Sequence, residues 1–200
     1  MKGTSVLVSD IDARFIWFEG LITPKTAVDF GRMLAKINRS SSESTPIYFY
    51  IKGVGGEINS TIAMAQYIEG SPSPVCVVAH GLVASGCFLL TQAGKSRLAM
   101  AGTKFKFHPA AMGLNKKIKF IEQRELYHVL DKAKISNAVQ LSWFLRKGKP
   151  ADVICRLFAD VAVMGLPKAI RLNLVDHYFK EADFYKDRRI ARRLIKRAKR

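Results

Sequence analysis

Residues 80–90 read HGLVASGCFLL. Two glycines and a serine interrupt an otherwise apolar run. The stretch before them, PVCVVAH at 74–80, has the continuous β-branched character of a strand buried on both faces. From Ser85 onward the residues read as a helix. A serine at the mouth of a helix meets free backbone N–H groups and the positive end of the helix dipole, which favour a developing oxyanion. The same position suits an ordinary helix cap. The local string VASGC departs from the G-x-S-x-G elbow of α/β-hydrolases. Taken alone, Ser85 therefore reads as either a cap or a nucleophile.

Upstream, RFIWFE (14–19) reads as a buried strand. Thr23 and Pro24 read as an N-cap and first helical residue ahead of an amphipathic helix. SSSESTP (40–46) is a loop, IYFYI (47–51) a strand running into KGVGG, and STIAMAQYIEG (60–70) a helix stopping at Gly70. Downstream, SRLAMA (96–101) and KFKFH (104–108) are short strands. A long helix is expected over 116–147, stopping at Gly148 and Pro150. Residues 151–164, ADVICRLFADVAVM, read as a further helix, and a last short helix near Pro167 leads into NLVDHYF (173–179). Strands and helices alternate with short links in the first half, so the expected class is α/β with βαβ units and a largely parallel sheet.

The chain has 200 residues, 48% of them hydrophobic and 24% charged, which suits one globular domain with one sizeable core. The longest apolar stretch, 75–90, is shorter than a membrane span and holds a histidine, a serine and two glycines, so it reads as core. The apolar run near the start is too short for a signal-peptide core. Cys76, Cys87 and Cys155 are scattered and odd in number, which fits a reducing, cytoplasmic setting and no metal finger. The net charge of +17 is uneven: residues 186–200, KDRRIARRLIKRAKR, carry +8 of it. In that tail Ile190, Leu194 and Ile195, with Ala191 and Ala198, share one helical face. The tail reads either as a solvated, frayed terminus or as an arm for an acidic partner.

Three further features carry chemistry. Gly53–Glu57 (GVGGE) follows a strand, where glycines expose backbone amides to a ligand; no G-K-[ST] follows, so it is not a phosphate loop. His108 ends the KFKFH strand. Among the other histidines, His128 sits mid-helix, His177 lies near the tail, and His80 is too close to Ser85 in one strand to turn back on it. An acid to orient the histidine is Asp160, set among apolar neighbours in FADVAVMGLP, with Asp152 and Asp176 as alternatives.

Taken together, the order strand, glycine pair, helix, strand, serine, helix, strand, histidine, long helix, aspartate resembles the proteolytic subunit of the Clp protease, in the ClpP/crotonase fold. The resemblance runs over about 14–179. RFIWFEGLI is similar to the family's first strand and turn, and IYFYIKGVGGEI to its strand ending in I-N-S-P-G-G. GLVASGCFLLTQAG is similar to G-x-A-A-S-M-G-A-F-L-L-x-A-G, KFKFHPA to I-H-Q-P, and DVAVMGLPKAIRLNLVDHYF to D-R-x-x-S-A-x-E-A-x-x-Y-G-L-V-D. The resemblance implies a ββα superhelix with a protruding long helix, formed by residues 1–185, and leaves 186–200 as a basic tail. It implies Ser85 as nucleophile, His108 as general base, Asp160 holding the imidazole, and the amides of Gly56 and Gly86 as oxyanion hole. It further implies a serine endopeptidase acting on peptides or unfolded polypeptides inside heptameric rings, single or stacked, with an AAA+ unfoldase as partner and no metal or organic cofactor. Gly86 stands where the family has methionine, and Lys52-Gly53-Val54 replaces Asn-Ser-Pro. The alternatives are a crotonase-type acyl-thioester enzyme and a catalytically impaired structural subunit.

Overall fold

The computed structural model describes residues 5–40, 44–109, 123–148 and 150–198. Strand β1 (Val6–Asp10) pairs antiparallel with β2 (Phe15–Ile22). From β2 the chain alternates: α1 (Pro24–Arg39), β3 (Ile47–Gly56), α2 (Ile58–Glu69), β4 (Val75–Ala84), α3 (Gly86–Ala93) and β5 (Ser96–Ala99). Thr23 caps α1, accepting a hydrogen bond from the Thr26 amide, and Pro24 begins it as expected. Then follow β6 (Lys104–Lys106), α4 (Gln123–Leu145), α5 (Ala151–Ala159), β7 (Val163–Gly165), α6 (Leu166–Arg171), β8 (His177–Tyr178) and α7 (Glu181–Ala198). The central path runs β1-β2-β3-β4-β5-β8, parallel from β2 onward.

The 80–90 stretch holds the decisive irregularity. The first half of β4 (Cys76–Ala79) pairs with β5, and its last residues (Leu82–Ala84) pair with β6. Between them Gly81 has φ +65, a left-handed backbone that glycine adopts without cost. The β3–β4 register shifts at the same level, from Ile51↔Ala79 to Gly53↔Val83. Gly81 thus lets one strand change partners, and this change opens a second small ladder, β4-β6-β7, beside the main sheet.

Side-chain alternation divides the core in two. Ile16 and Phe18, Phe49 and Ile51, Val77 and Ala79 face α1, α2, α3 and the C-terminal helices α5 and α6. Phe15, Trp17, Tyr50 and Val78 face the other way and are covered by Phe184 and Ala191 of α7. Every residue of α3 is buried, as its apolar composition requires. Arg97, also buried, is held by Asp176 through its backbone amide (2.7 Å) and Nε (3.1 Å), which ties β5 to the segment entering β8.

Three expectations change, and one strand is added. The stretch 151–164 is not one helix: α5 ends at Ala159, Val161 takes φ +53, and 163–165 form β7 against the open edge of β6. The β-branched valines suit that pairing, and tertiary pairing overrides the helical pattern. The glycines of GVGGE do not follow β3 but lie inside it, with Leu21↔Gly55 and Ile22↔Gly56. The described part of the tail, 186–198, continues helix α7, which begins at Glu181 and packs Phe184 and Ala191 on the sheet. VLVSD forms β1, which sequence reasoning did not assign to a strand. The long helix is present over Gln123–Leu145; its expected beginning, 116–122, lies outside the described residues. No helix among the described residues is long and apolar enough to cross a membrane.

Candidate active site

Ser85 occupies the sharp turn between β4 and α3. Its backbone has φ 52 and ψ −126, a region that costs a residue with a Cβ roughly 1–2 kcal/mol. Its N–H donates to the Lys106 carbonyl (3.1 Å), and its carbonyl accepts from Leu89 N–H (3.0 Å). The turn is therefore pinned on one side to β6 and on the other to the first turn of α3. Ser85 stands at the N-cap position of α3, yet its side chain makes no capping hydrogen bond. The cap reading fails at this point, and the strained backbone carries a half-buried hydroxyl not spent on its own helix.

The glycines fit this turn by close approach. A Cβ on Gly55, which has φ +96, would lie 2.6 Å from Ser85 Cβ and 2.7 Å from the Gly86 nitrogen. A Cβ on Gly56 would strike the Ile22 backbone, and one on Gly86 would lie 2.5 Å from Thr61 Oγ1. Sequence reasoning singled out Gly56 and Gly86 and missed Gly55. A glycine pair signals backbone contact, but which glycine touches the serine depends on the β3–β4 register. Gly55→Ala is expected to displace Ser85 and Gly86 and to lower peptide turnover by about 10²-fold with the fold retained, read as kcat/KM beside a circular dichroism spectrum.

The β4-β6-β7 ladder determines what else reaches the turn. Ala84 pairs with Lys106, so Ser85 and the residues after Lys106 leave the ends of adjacent parallel strands, about 4.8 Å apart. His108 follows two residues later and is half-buried. On the far side of β6, Lys106 pairs with Val163 and the Phe107 N–H donates to the Ala162 carbonyl (2.9 Å). That antiparallel pairing returns Asp160 toward the end of β6. Serine, histidine and aspartate thus arrive on three neighbouring segments. Among the described residues no hydrogen bond joins them. His108 Nδ1 lies 2.7 Å from the Pro109 carbonyl, which only accepts, so the hydrogen sits on Nδ1 and the lone pair of the neutral ring on Nε2. Asp160 ends α5 and is exposed, not set among apolar side chains as its sequence neighbours suggested.

The rival groups have other roles. Asp176 is held by Arg97: burial would raise its carboxyl, but the hydrogen bonds from Arg97 outweigh that and keep it below its ordinary value. Asp152 is exposed and lies one helical turn from Arg156. His177 is exposed on β8. The side chain of His128 lies outside the described residues. His80 is buried between Trp17 (4.8 Å between ring centres) and Phe184 (5.1 Å). Cys87, two residues from Ser85, is fully buried, and burial pushes its thiol up to about 12 despite a hydrogen bond from the Gly55 backbone. It stays a thiol at neutral pH and does not compete as nucleophile.

A largely parallel α/β sheet that splits at one strand and sets a strained serine between strand and buried helix defines a protein of the ClpP/crotonase fold. The family model for Clp protease matches residues 4–181, and the chain belongs to that family. It is similar to ATP-dependent Clp protease proteolytic subunit 2 of Prochlorococcus marinus (strain MIT 9313), at 33% identity over 97 residues, 46% of this chain and 48% of the relative. It is also similar to proteolytic subunit 2 of Treponema pallidum (strain Nichols), at 29% identity over 106 residues (52% and 53%). Proteolytic subunit 1 of Chlamydia caviae is 32% identical over 105 residues (52% and 54%). The chain spans about half the length of the curated relatives it matches.

Proposed function

We propose that this protein is a serine endopeptidase subunit that hydrolyses peptides or unfolded polypeptides. One observation carries the reading: a serine with an uncapped hydroxyl is held at φ 52 between strand and helix, hydrogen-bonded to the strand that leads to His108. In the proposed reaction Ser85 Oγ attacks the scissile carbonyl while His108 Nε2 takes its proton. The carbonyl oxygen becomes an oxyanion facing the amides of Gly86 and Gly56, each such donor being worth roughly 3–4 kcal/mol of barrier. His108 then passes the proton to the leaving amine, whose C–N bond breaks. Water, deprotonated by the same imidazole, hydrolyses the acyl-serine and restores the hydroxyl. Asp160 orients the ring and stabilises the imidazolium. For that role the ring gives up the Pro109 carbonyl and offers Nδ1–H to the carboxylate, a short turn at the end of β6.

Assembly belongs to the same proposal. Leu130 and Ile135 of α4 are 45% and 66% exposed, apolar surface on a long helix that suits contact with another subunit. The proposed state is a seven-membered ring, single or stacked, working with an AAA+ unfoldase in the cytoplasm. The test is hydrolysis of a fluorogenic peptide by the assembled protein. His108→Ala is expected to lower kcat by at least about 10³-fold with little change in ring size. Unchanged turnover in that variant would exclude His108 as base, and no turnover by the native assembly would favour an impaired subunit.

A further inference from the structure

Helix α7 has two opposed faces. Phe184 and Ala191 are buried against the sheet, and Arg188, Ile190, Leu194 and Ile195 are half-buried beside them. Asp187 lies on the inner side too, accepting a hydrogen bond from the Tyr50 hydroxyl (2.6 Å). The outward face carries Arg189, Arg192, Arg193, Lys196 and Arg197, spaced i, i+3, i+4, i+7, i+8, with Lys186 one turn earlier. All six are exposed, and among the described residues none of them forms an ion pair within 4.0 Å. From Lys186 to Arg197 the stripe is about 16 Å long. Six like charges on one helical face repel one another and disfavour the helix. The packing of the opposite face holds them in register.

We infer that this stripe binds the phosphate backbone of nucleic acid without reading its sequence. Charge density favours that partner: a duplex carries roughly one negative charge per 1.7 Å of axis, enough to neutralise every cation of the stripe. Four of the six are arginines, whose planar guanidinium matches phosphate oxygens in pairs. A bilayer surface fits less well. A helix that lies in a membrane interface inserts its apolar face, and here Phe184, Ile190 and Ala191 of that face are packed with Trp17, Tyr50 and Val78. Tyr185, exposed beside Lys186, is the one aromatic side chain at the edge of the stripe, and none stands from Arg189 to Arg197, so the binding is to the backbone rather than to base edges. The site lies on the sheet face opposite α1 and α2 and is independent of the peptidase reading.

The test is fluorescence anisotropy of the full-length protein, in its native assembly, with a labelled 25-base-pair duplex from 50 to 200 mM salt. The native protein is expected to bind, with affinity falling about 10³-fold across that range and a log–log slope near −5. A variant with R189Q, R192Q, R193Q, K196Q and R197Q keeps the buried face of α7, and its helicity is checked by circular dichroism. It is expected to reduce the slope to about −1. A charge-matched control, K25Q, R32Q, K36Q, R39Q and K168Q, changes exposed cations elsewhere and is expected to bind like the native protein. Equal weakening by both variants would assign binding to net charge alone and overturn the inference. So would no duplex binding at 50 mM salt, or tighter binding of polyglutamate or of vesicles rich in phosphatidylglycerol than of the duplex.

Discussion

Ser85→Ala is expected to lower peptide hydrolysis by about 10⁴-fold or more while leaving the fold intact, and Ser85→Gly to do the same while raising stability. The second half of that expectation comes from the backbone. At φ 52 and ψ −126 any residue with a Cβ is strained, and alanine is strained as much as serine. Glycine is not, so Ser85→Gly recovers about 1 kcal/mol. For a chain of this size that raises the thermal midpoint by roughly 2–4 °C. Gain of stability with loss of turnover is the signature of a residue held out of its preferred conformation for its chemistry. A serine that served only as a helix cap would give the opposite result: loss of about 1 kcal/mol on truncation and no effect on hydrolysis. Thermal melts and kcat/KM on the three proteins separate the two cases.

The second large effect is acid lability centred on His80. Its ring is packed between Trp17 and Phe184, its Nε2 is buried with no hydrogen-bond partner, and burial lowers its pKa to about 4. Glu19 on β2 acts the other way, while Lys52 on β3 and Arg188 on α7 add to the lowering. The unfolded chain takes up the proton near pH 6.5, so the folded state holds fewer protons between the two values. Stability from the neutral ring is full above about pH 6.5 and is lost as pH falls toward 4, a total of roughly 3 kcal/mol. Asp176 adds a loss at lower pH, because its carboxyl is held below its ordinary value by Arg97 despite its burial. Chemical denaturation between pH 7.5 and 4 checks the first term. His80→Phe, which keeps an aromatic ring in place, is expected to flatten the curve over that window. An unchanged slope in the variant would remove His80 as its source.

The parts of the fold legible in the sequence are those with strong local patterns. IYFYI and PVCVVAH announce central strands, Thr23-Pro24 announces the start of α1, and Gly70 the end of α2. The less legible parts depend on distant partners. Val163–Gly165 continues the apolar pattern of α5, and only the turn at Val161, with its positive φ, and pairing with β6 make it a strand. VLVSD becomes a strand because β2 offers it an edge. The basic tail looks like a free arm until Phe184 and Ala191 are seen filling the back of the sheet.

The candidate site divides in the same way. The residues themselves singled out Ser85, His108 and Asp160, the resemblance supplied their roles, and the strand order brings them to neighbouring segments. Whether the Ser85 hydroxyl caps its helix is a matter of two dihedral angles, which no residue pattern specifies. Gly55 escaped notice because its neighbour across the turn, Ser85, is thirty residues away and meets it only through the β3–β4 ladder. The environment of Asp160 was misjudged because the residues beside it, Ala159 and Val161, are themselves exposed; in FADVAVM only Phe158 and Met164 are buried.

The most direct measurement is reaction of the native assembly with a fluorophosphonate, followed by mass mapping of the modified peptide. The hydroxyl at position 85 is predicted to carry the phosphonyl group, one per subunit at saturation, with the rate falling in step with turnover when His108 is replaced by alanine. Modification at another serine, or none at Ser85 in a protein that cleaves peptides, would contradict the assignment of the strained turn as the catalytic centre.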